Sequence, residues 1–135
     1  MKQIVRVKEI LECGCEMEGK INVEVVSNGI ILTCDYQASS EYIKECFPVG
    51  TEREVFLSFW LDSVSKTEKR ISKVNSDNVV GIYKGKYEND NEEYYVIDSL
   101  INVLTTNEFN GFKEPALTGE WVEAQGSFYI HLPGE

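Results

Sequence analysis

The sequence contains no long run of apolar residues, so we expect no segment of it to cross a membrane as a helix. Its first residues, MKQIVRVKEILE, carry charges throughout and lack the apolar core of a secretory signal peptide. We therefore expect a cytoplasmic protein with no membrane partner. In that compartment the four cysteines are expected to be thiols or metal ligands, because disulfides are rare there.

The sequence also lacks the motifs that identify common enzymes. It has no Gly-x-Ser-x-Gly, no His-Glu-x-x-His, no phosphate-binding loop and no Gly-x-Gly-x-x-Gly. Its single histidine, His131, belongs to none of these motifs. We predict no catalytic residue, and a binding protein is favoured over an enzyme.

Basic side chains are scarce: 13 Lys and Arg stand against 23 Asp and Glu, and the formal net charge is −10. Their distribution is uneven, because residues 66–86 hold six basic and two acidic side chains, a local charge of +4. An acidic protein repels phosphate backbones, which disfavours nucleic acid and favours a basic partner.

The length of 135 residues predicts one domain, 1–135, and an apolar fraction of 42% is enough for one core.

The stretch Thr51–Val64, TEREVFLSFWLDSV, has the clearest strand pattern. Its odd positions are almost wholly apolar from Val55 to Leu61, and its even positions are mixed. Side chains alternate between faces along a strand, so this pattern predicts a half-buried central strand in an antiparallel sheet. Of its even positions, Phe56 and Trp60 are expected on the mixed face.

Two local signals predict a hairpin and a helix. Asn28-Gly29 lies between two runs rich in β-branched residues, which favours a two-residue type I′ turn with Val25 opposite Leu32. Residues 39–47 predict a short helix that is capped by Ser39 or Ser40 and ended by Pro48. Further strands are expected over residues 2–12, 78–88, 94–104 and 119–132, with a polar loop or edge segment at 66–78 and a polar loop at 105–118.

Together these elements predict a mostly β protein, a small antiparallel barrel of about seven strands with one short helix. The helix at 39–47 after the third strand and the closing stretch GEWVEAQGSFYI resemble the small OB-like β-barrel domains. The resemblance implies a fold and no particular activity, because one fold serves many functions.

Four cysteines form the candidate metal site: Cys13, Cys15, Cys34 and Cys46. Four thiolates can bind zinc tetrahedrally, but this spacing lacks the paired Cys-x2–4-Cys knuckles of common structural sites. The alternative is that Cys34 and Cys46 are small buried apolar residues, which is common for free cysteine. No cofactor is predicted, and zinc is retained as the alternative, bound by these four thiols.

Aromatic residues expected at the surface, together with cations of the 66–86 segment, form the candidate binding site. Aromatic rings beside Lys and Arg can stack on bases, which would suit single-stranded nucleic acid. The alternative is that the rings are covered by other parts of the fold. The predicted binding residues are Phe56, Trp60, Lys69, Arg70, Lys73, Tyr83, Trp121 and Tyr129.

These observations favour a non-enzymatic binding module, an interaction partner or an accessory or inhibitory subunit with an acidic surface. The expected partner is a protein, and a basic one is favoured, since acidic charge speeds encounter with a basic surface and exposed Trp and Tyr can anchor it. The alternative is an OB-like module that binds single-stranded nucleic acid through the basic 66–86 segment and the exposed aromatics.

Overall fold

A computed structural model describes residues 2–12, 17–89, 91–106 and 118–132. The chain divides into two compact units: the first contains residues 1–57 and 128–135, and the second contains residues 58–127. The single domain expected from chain length stays a prediction. The described elements are β1 (Gln3–Glu12), β2 (Gly19–Val25), β3 (Ile31–Tyr36), α1 (Ser40–Cys46), β4 (Glu52–Val55), β5 (Leu57–Lys66), β6 (Lys73–Val74), β7 (Asn78–Asn89), β8 (Glu92–Asp98), β9 (Asn102–Thr105) and β10 (Trp121–Ile130).

In the first unit, four strands form a sheet in the order β4-β1-β2-β3, and each neighbouring pair is antiparallel. The last residues of β10 pair with β3 in parallel, through Phe128 opposite Cys34 and Tyr129 opposite Asp35. Alternate residues of the sheet are buried, as the sequence pattern predicts. The buried hydrophobic side chains of β1, β2 and β3 are Val5, Val7, Ile21, Val23, Val25, Leu32, Cys34 and Tyr36.

The hairpin between β2 and β3 is confirmed, but its predicted turn is wrong. Val25 donates its N–H to Ile30, so the loop contains four residues, and Leu32 lies opposite Val23 instead of Val25. A type I′ turn needs positive φ at both central residues, and of Asn28 and Gly29 only Gly29 has it, at 76°. The Asn28 side chain instead accepts the Ile30 N–H at 3.1 Å, which stabilises the longer loop.

The short helix is confirmed. The hydroxyl of Ser39 caps α1 by accepting the N–H of Tyr42 at 3.2 Å. Ile43 is the helix residue with a fully buried side chain, and Phe47 beyond the C-terminus is also buried. A helix of seven residues is unstable alone, so this packing is what holds it in place. No helix among the described residues has the length and hydropathy that crossing a membrane requires.

The second unit contains a closed ring of hydrogen-bonded strands. Its order is β10-β5-β9-β8-β7, and β10 pairs again with β7. The pairs β7–β8, β8–β9 and β7–β10 are antiparallel, and β5–β9 is parallel. The two-residue strand β6 lies beside β7 at the end of the sheet order, where the sequence predicts a loop or edge segment.

The mostly β class with one helix is confirmed, and two finer expectations about the strands are wrong. The described residues form ten strands, not about seven, because predicted strands 51–64 and 94–104 are each interrupted and β6 is added. The sheet is mixed, not antiparallel, because β3–β10 and β5–β9 are parallel. Those partners are distant along the chain, so local periodicity carries no information about their direction.

Phe56 interrupts the strand predicted over residues 51–64. Its backbone C=O accepts the N–H of His131 at 3.0 Å, and it separates β4 from β5. The predicted burial is nevertheless confirmed, since Val55, Leu57, Phe59 and Leu61 are all buried. The alternation of apolar residues therefore predicted correctly which side chains are buried, but it did not show where the strand is interrupted.

Candidate binding site

A cleft of about 720 Å³ lies in the second unit, between the segment that follows β5 and the start of β10. This volume is in the range of small-molecule and peptide-side-chain sites. The lining combines cations, carboxylates and one indole. The residues that line it are Lys66, Thr67, Glu68, Arg70, Gly119, Glu120 and Trp121.

Backbone hydrogen bonds hold the two walls of the cleft together. The N–H of Thr67 donates to the C=O of Trp121 at 3.1 Å. On the far side, Gly119 donates to the C=O of Tyr83 at 2.8 Å, and Tyr83 donates to the C=O of Glu120 at 2.9 Å. Gly119 has a φ of 97°, which residues with a side chain rarely adopt, so this glycine allows the chain to turn into β10.

Ion pairs join the same two walls. The ammonium group of Lys66 lies 3.2 Å from a carboxylate oxygen of Glu120. Farther along β10, Lys69 donates to both carboxylate oxygens of Glu123 at 2.9 Å, and the Asn78 amide donates to Glu123 at 3.1 Å. The charge of Lys66 is therefore already balanced by Glu120, which directly precedes β10, and that of Lys69 by Glu123 on β10.

These hydrogen bonds favour the ionised form of Glu123. They lower the pKa of its carboxyl group below the ordinary value of 4.5, chiefly through the hydrogen bond from Lys69 and then through that from Asn78. A lowered pKa means that the folded state binds this proton more weakly than the unfolded state does. The stabilisation is thus complete above about pH 4.5 and is lost as the pH falls through the folded-state pKa.

We expect Glu123→Gln to destabilise the protein at pH 7 and to have a smaller effect at pH 3, because below pH 4.5 the wild-type carboxyl group binds its proton more readily in the unfolded state than in the folded state. Urea unfolding of both proteins at the two pH values measures this difference. Glu68→Gln is the matched control, since Glu68 is exposed and makes no hydrogen bond to the described residues. An equal loss of stability at pH 7 and pH 3 would contradict the role given to Glu123.

Arg70 is held differently from the two lysines. Its Nη1 donates to the backbone C=O of Thr67 at 2.8 Å and of Lys69 at 3.4 Å. No carboxylate among the described residues pairs with it, and its Nε and Nη2 make no hydrogen bond to them. Arg70 therefore brings to the cleft a guanidinium that is oriented by the backbone and forms no ion pair with any described acid.

The predicted binding residues do not form one site. Arg70 and Trp121 line the cleft, and Lys69 lies beside it in its pair with Glu123. Lys73, on β6, is close enough to contribute to the lowered pKa of Glu123. Trp60 is partly exposed on β5, at 36%, and does not line the cleft.

The surface exposure expected of Tyr83 and Tyr129 is wrong, because both side chains are buried. Tyr83 shares the inward side of β7 with Val79, and its ring centroid lies 6.2 Å from that of Tyr95. Tyr129 lies among buried residues at the end of β10, in the first unit, where β10 pairs with β3. Neither ring can stack on a ligand without local unfolding.

Phe56 belongs to an aromatic cluster of the first unit. The ring centroid of His131 lies 4.9 Å from that of Phe56 and 4.9 Å from that of Tyr129, in edge-to-face arrangements. Such pairs stabilise packing beyond their buried area. Phe56 is therefore engaged with the single histidine and does not line the cleft.

The zinc hypothesis stays a prediction, because Cys13 and Cys15 lie outside the described residues. Among the residues that are described, no three His, Cys, Asp or Glu side chains form a group that could hold a metal. Cys34 is fully buried, and burial raises the pKa of its thiol to about 12. Cys34 is thus a neutral, unreactive thiol at pH 7, which suits a small buried apolar residue.

Sequence reasoning missed the acids that pair with the basic segment. Glu120 and Glu123 are not among the predicted site residues, yet they pair with Lys66 and Lys69 and hold this segment in place. Their pairing with Lys66 and Lys69 has no signal in the sequence, because the partners are more than 50 residues apart.

No known protein-family model matches the sequence. A search of curated proteins also finds no significant similarity.

Proposed function

We propose that this protein is a non-catalytic protein-binding module and that the cleft of the second unit contacts the partner. The observation that carries the proposal is the guanidinium of Arg70, which has no carboxylate partner in the described part of the chain and lies in the same cleft as the partly buried indole of Trp121. Arg and Trp are enriched among the few residues that dominate binding energy at protein interfaces.

An exposed apolar residue next to Arg70 supports this proposal. The side chain of Ile71 is 81% exposed, whereas isoleucine is among the residues most often buried. It follows Arg70 directly along the chain, so a partner that reaches the cleft would also cover Ile71.

The remaining charge favours a partner with a net positive charge. Outside residues 66–86 the chain has a strong excess of acids, which would attract a basic protein before contact. Single-stranded nucleic acid has less support as a partner, because Tyr83 and Tyr129 are buried and Lys66 and Lys69 are already paired. We therefore propose no second function.

The fold and location expected from the sequence remain part of the proposal. The ring in the second unit contains five strands, the number found in an OB-like barrel, and this supports the OB-like resemblance. The helix that suggested the resemblance follows β3 in the first unit instead. A cytoplasmic location is likewise proposed from the sequence alone.

Affinity capture from native lysate, with and without nuclease, tests the proposal. We expect a nuclease-resistant protein that is identified by mass spectrometry and then purified for affinity measurement. Arg70→Gln and Ile71→Ser should each weaken this binding by roughly tenfold, the size of one lost interface contact.

Two matched variants separate the cleft from general surface effects. Arg53→Gln removes another exposed arginine whose Nη1 donates to a backbone carbonyl, at 2.9 Å, and Val49→Ser removes another exposed branched side chain. Both lie in the first unit and should bind the partner like the wild type. Equal binding by the cleft variants and the wild type would contradict the proposal, and so would retention of nucleic acid alone.

A further inference from the structure

We propose that the cleft binds a carboxylate group of the partner, through the Nε and Nη2 edge of Arg70, with the adjoining apolar group packed on Trp121. This inference rests on the proposed function and adds the chemistry of the bound group. A terminal carboxylate and an acidic side chain present the same group to an arginine, and the experiment below distinguishes them.

The orientation of Arg70 supports a carboxylate ligand. Nη1 is engaged by the carbonyls of Thr67 and Lys69, so the guanidinium is fixed through one of its nitrogens. Nε and Nη2 form the parallel pair of donors that matches the two oxygens of a carboxylate. Because the side chain is already ordered by the backbone, binding loses less conformational entropy than it would for a freely rotating arginine.

The other charges of the cleft favour a singly charged anion over a phosphate. Lys66 is balanced by Glu120, and Glu68 adds another negative charge to the lining. Arg70 is then the remaining positive charge available to a ligand among the described lining residues. A phosphate group with nearly two negative charges would be repelled by Glu68 and Glu120 more strongly than a carboxylate.

Trp121 supplies the apolar part of the site. Its side chain is partly exposed at the start of β10, and its backbone C=O accepts a hydrogen bond from Thr67. This hydrogen bond places the indole beside the segment that carries Arg70. A rigid aromatic side chain offers a large contact area at low entropic cost. The site therefore fits a segment in which an apolar side chain stands next to the carboxylate.

A partner with a net positive charge can still supply this carboxylate. Attraction between whole proteins acts over about a Debye length, roughly 8 Å at physiological salt. The contact with Arg70 acts at hydrogen-bond distance and depends on a single group. The two requirements describe a basic protein that places one carboxylate in the cleft.

Nuclear magnetic resonance of the indole N–H signals tests the inference on the full-length protein. The chain has two tryptophans, so Trp60 serves as an internal reference, and a Trp60→Phe variant assigns the signals. The probes are N-acetyl-leucine, its uncharged amide, an acetylated and amidated Leu-Glu dipeptide, and inorganic phosphate. N-acetyl-glycine serves as the probe without an apolar side chain.

We expect N-acetyl-leucine to shift the Trp121 signal saturably, with a Kd on the order of 1 mM. Its amide, N-acetyl-glycine and the Arg70→Gln protein should each give binding at least about tenfold weaker, and Arg53→Gln should bind like the wild type. Tighter binding of the Leu-Glu dipeptide than of N-acetyl-leucine identifies an acidic side chain as the ligand, and the reverse identifies a chain terminus.

The carboxylate assignment is overturned by phosphate binding more tightly than either peptide probe, by equal shifts with the amide, or by no saturable shift at about 20 mM. Failure of the probes while Arg70→Gln still weakens partner capture leaves the protein-binding function standing and removes only the ligand class. If the probes bind but the protein captures no partner, the carboxylate site stands and the protein-binding function is removed.

Discussion

Replacing Gly126 with alanine is expected to destabilise the protein by about 3 kcal/mol, near the upper end for overpacking in a close-packed interior. A Cβ at this position would collide with the backbone carbonyl oxygen of Trp60 and lie 3.0 Å from both the Trp60 carbonyl carbon and the Phe59 ring. The backbone of β10 cannot easily retreat, since the Gly126 N–H donates to the C=O of Asp77 at 3.1 Å.

Urea unfolding at pH 7 measures this loss, and Gln125→Ala provides the matched control. Gln125 is the exposed neighbour on the same strand, so its truncation should change stability by less than about 0.5 kcal/mol. The Gly126 variant should also show a lower midpoint with an unchanged denaturant slope. Equal stability of the two variants would mean that β5 and β10 do not approach as closely as the structure indicates.

Replacing Phe59 with alanine is expected to cost about 4 kcal/mol, the usual range for removing a fully buried phenylalanine. Phe59 has no exposed surface, and its backbone lies within the β5–β9 pairing opposite Thr105. Its C=O also accepts the N–H of Thr106 at 3.0 Å. Loss of the ring would leave a cavity in the second unit that these ordered neighbours cannot readily fill.

Trp60→Ala is the control, because the neighbouring residue has an aromatic side chain on the opposite face of the same strand and is partly exposed. It removes more atoms than Phe59→Ala but should destabilise the protein less, by about 1 kcal/mol. Thermal and urea unfolding of both variants test the order of the two effects. A larger effect at Trp60 than at Phe59 would show that the buried face of β5 is assigned wrongly.

Part of the candidate site could be predicted from the sequence. The sequence predicts Arg70 as a cation of the basic segment and Trp121 as an aromatic of the last strand, and both line the cleft. The same reasoning predicts Tyr83 and Tyr129, which are buried. Alternation along one strand shows which residues share a face, but it does not show whether that face meets solvent or another part of the chain.

The local features of this protein can be derived from its sequence alone. The inward residues of β5, the hairpin near Asn28 and the Ser39-capped helix follow from alternation, turn chemistry and capping, which involve residues a few positions apart. The pairing of the strands and the formation of the cleft, in contrast, depend on contacts that only the tertiary structure shows. Lys69 and Glu123 are 54 positions apart, and no local pattern records that folding brings such residues into contact.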